Sequence, residues 1–191
     1  MDAIFTIPYS EYMVINELSK HINKSDGCTI YIPASRQEKG VDFLVHHLKT
    51  RQCARFQVKG SKSYEGTNYK GKNRTYKYNL WFNNFVNKYD KGLADYYALC
   101  GIYSSYDPHL SIDGKRGFWK PIILCIPDDK MGAILDNILT KKKQTKDKFF
   151  GIGFDDPTSV FGTRGFLEET NLSEYLLTNV IGSIKGKLAD S

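Results

Sequence analysis

At 191 residues the chain is long enough for one domain with a sizeable core, and two independent domains would be cramped. Its 41% hydrophobic and 25% charged content is ordinary for a folded globular protein, and no apolar run approaches the roughly 20 residues that span a bilayer. The 27 basic residues exceed the 21 acidic ones by six, with a pI near 9.0, which permits a polyanionic partner without demanding one.

The N-terminus, MDAIFTIPYSEY, has an acidic second residue and no long apolar stretch, so it does not read as a signal peptide. The expectation is an intracellular, cytoplasmic protein with no membrane contact. Cys28, Cys53, Cys100 and Cys125 are widely spaced in apolar or β-like runs, which suits reduced core thiols better than a zinc site.

In chain order, Pro8-Tyr9-Ser10 before Glu11-Tyr12-Met13-Val14 predicts a helix start with Ser10 as N-cap. Val14, Ile15, Leu18 and Ile22 then recur at helical spacing, and Ser25-Asp26-Gly27 ends the helix. Residues 28–32 predict a strand stopped by Pro33, residues 34–40 a polar loop, and residues 41–45 and 53–58 two further strands. Residues 60–73 predict a loop rich in Gly, Ser, Lys and Tyr. From Lys59 to Lys77 six basic residues (Lys59, Lys62, Lys70, Lys72, Arg74, Lys77) face one acid, Glu65, with Tyr64, Tyr69 and Tyr76 interleaved.

Residues 76–82 resume a strand pattern, and 94–103 and 121–126 predict interior strands. Asp128-Asp129 opens a helix through Met131, Ile134, Leu135, Ile138 and Leu139, with Lys141 to Lys143 as a basic end matching the helix dipole. Residues 149–154 predict a strand and 173–184 a last helix. No repeat or linker divides the chain, so residues 1–191 read as a single α/β or α+β domain around one mixed sheet.

The chemistry concentrates between Gly40 and Gly60. Asp42 falls in an apolar strand, where a carboxylate is costly unless a metal or hydrogen bonds satisfy it. Gln57 and Lys59 are two apart, so they share one face of their strand while Phe56 and Val58 take the other. A hairpin around residues 48–52 would bring the three together. Mg²⁺ takes hard oxygen ligands, which the Asp42 carboxylate, the Gln57 amide and the Val58 carbonyl could supply. Lys59 would then stand beside the attacking water or stabilise charge developing on phosphorus.

A further acid is expected from the first helix. On a helical wheel Glu11 falls at about 60°, inside the apolar stripe, and Glu17 at about 300°, on its border. Glu11 is therefore the stronger choice, with Glu17 in reserve. The plain alternative is an ordinary hairpin whose polar residues face solvent. His21, His46, His47 and His109 show no ligand or triad spacing.

This pattern resembles the PD-(D/E)XK, or restriction-endonuclease-like, nuclease superfamily in its Q-X-K variant. The matching residues are Glu11-Tyr-Met-Val14-Ile-Asn-Glu-Leu18, Gly40-Val-Asp42-Phe-Leu-Val45, Gln57-Val-Lys59-Gly-Ser and Tyr78-Asn-Leu-Trp81, with later strands at 94–99 and 122–127. Val41 stands where a proline often precedes the first acid, and Gln57 where an acid is usual. The resemblance covers residues 10–135, within a core of about 10–140, and leaves 145–191 unassigned.

It implies a central mixed β-sheet flanked by helices, with Glu11, Asp42, Gln57 and Lys59 as the catalytic set. Metal ligands would come from Glu11, Asp42, Gln57 and Val58. The implied reaction is Mg²⁺-dependent endonucleolytic hydrolysis of DNA by a metal-activated water, with Mn²⁺ as substitute, leaving a 5′-phosphate. A homodimer would place one centre on each strand, in a setting of restriction, defence or repair. Lys62, Tyr64, Lys70, Lys72 and Arg74 are the expected nucleic-acid contacts. The competing reading is a catalytically inactive nucleic-acid-binding module of the same fold. A third is a subunit that holds a protein partner through residues 149–191.

Overall fold

A computed structural model describes residues 9–22, 24–33, 40–66, 76–106, 117–138, 140–141, 145–166 and 168–189. Helix α1 (Tyr9–Ser19) and a 3-10 turn (Lys24–Asp26) lead into strands β1 (Cys28–Tyr31), β2 (Phe43–His47), β3 (Cys53–Ser61), β4 (Ser63–Glu65) and β5 (Tyr78–Asn83). A one-turn helix α2 (Phe85–Lys88) precedes the long strands β6 (Tyr96–Tyr106) and β7 (Gly117–Pro127), then helix α3 (Asp128–Asp136). A small ribbon, β8 (Thr140–Lys141) with β9 (Thr145–Lys146), is followed by β10 (Phe149–Phe154), β11 (Phe161–Gly162) and β12 (Thr170–Asn171). A second 3-10 turn (Ser173–Tyr175) and helix α4 (Leu177–Ala189) complete the chain. Among the described residues, no helix is long and apolar enough to cross a membrane.

The first sheet runs β1-β2-β3-β6-β7. It is mixed, because β3 and β6 pair in parallel while the other neighbours are antiparallel. Strand alternation sorts its side chains into two cores. Phe56, Val58, Tyr96, Ala98, Cys100, Ile123 and Cys125 pack beneath Met13, Val14 and Leu18 of α1 and Leu177, Val180, Ile184 and Leu188 of α4. The rings of Phe43, Phe56 and Tyr96 stack there at 4.7 and 5.2 Å. Burial of the two cysteine thiols on this face, Cys100 and Cys125, pushes each up to about 12, so they act as small apolar residues.

On the other face, Tyr97, Leu99, Tyr103, Ile122, Leu124 and Ile126 meet Leu80, Phe82, Phe150, Ile152 and Phe154. Those partners belong to a second, all-antiparallel sheet of order β12-β11-β10-β5-β4. Gly101 lets the sheets approach: a Cβ there would lie 2.4 Å from Leu80 Cδ2. The expected mixed sheet is therefore present, but a second sheet, with α2 and α3, covers the side where helices alone were expected. The stretch after residue 145 supplies β10, whose six residues pair with β5, and α4, which roofs the opposite face.

Three local expectations are corrected. The helix that begins at Asp128 ends at Asp136, because Ile138 turns to bridge Phe166 across the core. Lys141 then lies in a strand beyond the helix end, while Lys142 and Lys143 fall outside the described residues. The last helix begins at Leu177 rather than 173, since Leu176 is extended and bridges Leu124. Within the predicted 60–73 loop, β3 runs on to Ser61 and residues 63–65 form an edge strand.

Candidate active site

The hairpin joining β2 and β3 turns through residues 48–52. His47 N–H donates to the Gln52 carbonyl at 2.9 Å, and Arg51, at φ 62°, donates to the His47 carbonyl at 2.9 Å. Strand β2 starts at Phe43, so Asp42 sits in the bend just before it, not inside the strand as the sequence suggested. Its position is nonetheless tightly held. Asp42 N–H donates to the Phe56 carbonyl at 2.8 Å, and Asp42 Oδ2 accepts the Val58 N–H at 2.6 Å. The carboxylate thus takes over the ladder bond that a continuing strand would have made, and Oδ1 accepts no hydrogen bond among the described residues. Gly40 shapes the approach. Its φ is +98°, and a Cβ there would lie 1.9 Å from Leu93 Cδ2.

A strand residue sends its N–H and C=O to the same edge. Val58 therefore directs its carbonyl to the β2 side, one step past the last paired residues, Phe43 and Phe56. That carbonyl lies on the edge of β3 that Asp42 clamps. Gln57 and Lys59 point to the face away from α1, beside their β6 partners Tyr97 and Leu99. Gln57 is only 7% exposed, and its Oε1 finds no hydrogen-bond donor among the described residues. Such an unpartnered buried carbonyl is uncommon and calls for a reason.

Lys59 is half-buried. Burial pushes its ammonium below the ordinary lysine value, Asp42 pulls it back up, Lys88 pushes it down again, and Glu11 pulls it up. Lys59 thus senses both acids of the predicted set. Lys88, at the end of α2, was not singled out from sequence; no local pattern marks it, because its approach depends on how α2 packs.

Close contact between α1 and β3 sets where Glu11 lies. Helix α1 starts at Tyr9, which places Ser10 inside the helix instead of at its cap. A Cβ on Gly60 would lie 2.8 Å from Ser10 Cβ, so the glycine after Lys59 lets the start of α1 settle against β3. Glu11, one residue on, is 7% exposed. Glu17 instead forms an ion pair with Lys20 at 2.5 Å near the far end of the helix. The wheel's choice of Glu11 as the inward acid agrees with this placement.

Of the predicted nucleic-acid contacts, Lys62 is exposed between β3 and β4, and Tyr64 is exposed on the edge strand β4. Lys70, Lys72 and Arg74 lie outside the described residues. Among the described residues, no group of three or more His, Cys, Asp or Glu is placed to hold a metal ion. Of the four expected ligands, two are acids, Asp42 and Glu11, and the others are the Gln57 amide and the Val58 carbonyl. The chain matches no family model, no curated protein and no solved structure. The functional reading therefore rests on the residues and their geometry.

Proposed function

We propose that this protein is a divalent-metal-dependent nuclease of the PD-(D/E)XK kind, acting on DNA phosphodiester bonds. The observation that carries the reading is the buried Gln57 Oε1, without a partner among the described residues, on the strand whose next peptide is clamped by Asp42. An oxygen in that position is a ready ligand for a hard cation. Gln57 Oε1, the Val58 carbonyl and Asp42 Oδ1 would give oxygen donors only, with Glu11 of α1 as the further acid, a set that fits Mg²⁺ or Mn²⁺ and not a softer metal. A bound divalent ion would offset the charge of the scissile phosphate and lower the pKa of a nearby water.

The chain's own groups do the remaining work. Asp42, held at 2.6 Å by the Val58 N–H, is pre-oriented and needs no reorganisation on binding. Lys59 brings a positive charge from a half-dehydrated position, where attraction to developing phosphate charge is stronger than in water. A homodimer would supply the second centre that cutting both strands of a duplex requires.

The test is cleavage of supercoiled plasmid with Mg²⁺ or Mn²⁺, with Asp42→Asn and Lys59→Ala beside the wild type. Metal-dependent cutting by the wild type that both variants lose supports the reading. Equal cutting by all three, or by none, refutes it. One feature favours a second reading, a non-cutting nucleic-acid-binding module: Gln57 stands in place of a carboxylate, which leaves the centre one negative charge short. Retained DNA binding without cleavage would identify that case.

A further inference from the structure

A charged cavity opens between α2 and the start of β10. It has a volume of about 610 Å³ and is walled by Val86, Asn87, Lys146, Asp147, Lys148, Phe149 and Arg164. Three of these residues are cationic and one is anionic. The anion, Asp147, is 5% exposed and faces inward: its Oδ2 accepts from Arg164 Nε at 3.2 Å and its Oδ1 from the Phe149 N–H at 3.2 Å. Lys146 is paired with Asp136 Oδ1 at 2.6 Å on the exposed rim.

Arg164 is the organised member. Its guanidinium stacks 4.4 Å from the Phe149 ring centre and 5.5 Å from that of Trp81, while Asp147 engages Nε. Its side chain remains 35% exposed. A guanidinium fixed by two rings and a buried carboxylate has lost its rotamer freedom already and keeps its outer N–H donors for a ligand. Lys148 Nζ lies over the same Phe149 ring at 5.7 Å.

Two connections link this cavity to the centre. Lys88 shares α2 with Val86 and Asn87 and acts on Lys59. Ser61, on the same face of β3 as Lys59, accepts the Trp81 N–H at 2.8 Å, and Trp81 is one of the rings that hold Arg164. Lys88 and Trp81 thus connect the elements that carry Lys59 to those that wall the cavity.

We propose that the Arg164–Lys148 cavity binds a phosphate of the same nucleic-acid strand that enters the Asp42–Lys59 centre, gripping it a few nucleotides from the bond to be cut. This rests on the nuclease reading for its substrate, and the cavity itself is assigned here on its own geometry. Shape and charge suit a phosphodiester backbone, and the stacked rings beside Arg164 suit a ribose or base edge.

The experiment measures binding of the full chain to a short fluorescein-labelled duplex and its single strand by anisotropy, in Ca²⁺ to suppress cutting, between about 50 and 200 mM salt. Lys148→Ala and Arg164→Gln should each weaken binding by roughly tenfold and lower the slope of log affinity against log salt by about one. Arg164→Lys keeps a charge opposite Asp147 and guards against misfolding; it should lose the stacked geometry and bind between the two. Lys130→Ala, which lines a different cavity, should leave the slope unchanged. An unchanged slope in both Lys148→Ala and Arg164→Gln overturns the proposal. A melting temperature raised by inorganic phosphate in wild type but not in Lys148→Ala, with DNA binding unaffected, overturns it in favour of a small phosphate ligand. Wild-type DNA binding with the predicted slope changes, but no metal-dependent cleavage, upholds the cavity and sinks only the nuclease reading.

Discussion

Replacing Gln57 by methionine tests the centre without relying on turnover. The two side chains have nearly the same volume and flexibility, so the core around Tyr97 is little disturbed, at a repacking cost below about 1.5 kcal/mol. The amide is 7% exposed and its oxygen has no donor among the described residues. A buried acceptor in that condition costs about 1–3 kcal/mol, which methionine removes. We expect a net gain near 1 kcal/mol without metal, equal to a melting temperature about 2–4 °C higher for a domain of this size.

With metal the order should reverse. Wild-type protein at a metal concentration about 100 times its dissociation constant gains about 2.7 kcal/mol. A variant lacking one ligand oxygen should bind the ion at least about tenfold more weakly, by comparison with the 10–100-fold cost of losing an outer-shell partner. Differential scanning fluorimetry in EDTA and in Mg²⁺ or Mn²⁺ reads both arms. The reasoning is refuted if methionine lowers the melting temperature in EDTA, for then the amide is satisfied. It is equally refuted if wild type and variant gain the same from metal, for then Gln57 is no ligand.

Other outcomes follow from the same structure. Gly60→Ala places a Cβ 2.8 Å from Ser10 Cβ, so α1 must shift and withdraw Glu11; cleavage should fall by about tenfold or more, and adding Ser10→Gly should restore part of it. A single alanine variant with full activity would show that the approach of α1 is immaterial. Asp95 accepts from Arg55 N–H and Nε and from Lys187 Nζ, tying β3 to β6 and α4. Burial pushes its carboxyl up, but the bonds from Arg55 and Lys187 outweigh this and hold it below the usual carboxylate range. Its stabilisation is therefore fully present above about pH 4, the unfolded value, and is lost as pH falls through the lower folded value. Asp95→Asn should melt earlier at neutral pH and converge with wild type in acid; a gap that persists unchanged at low pH would contradict the assignment. Leu80→Ala empties the space over Gly101 between the sheets and should cost about 2–5 kcal/mol, read as a lower urea midpoint.

Much of the site was legible in one dimension because its logic is local. Period-two alternation placed Gln57 and Lys59 on one face of β3, and the observed register keeps them there beside Tyr97 and Leu99. Period 3.6 turned Glu11 inward and left Glu17 on the border of the stripe, where it is half-buried and paired with Lys20. The strand at 149–154 was read to the residue, from a short apolar run of Phe, Ile and Gly between polar flanks. Asp42 was misplaced by one structural element: an apolar run gives no sign that its first polar residue will leave the ladder and seize the Val58 N–H.

The amino-acid order alone determined where the longer strands fall, that β2 and β3 form a hairpin, and which side chains share a face, since each follows from spacing along a few residues; the short strands β4, β8, β9, β11 and β12 left no such mark. Only the tertiary structure decided that a second sheet covers the first, because β5 and β10 pair across some 70 intervening positions and distant pairing leaves no local period. It alone joined Trp81, Phe149 and Arg164 from three separate segments into one stacked cluster. It alone left the Gln57 oxygen buried without a donor among the described residues, a property of what packs around that side chain and of nothing adjacent to it in the chain.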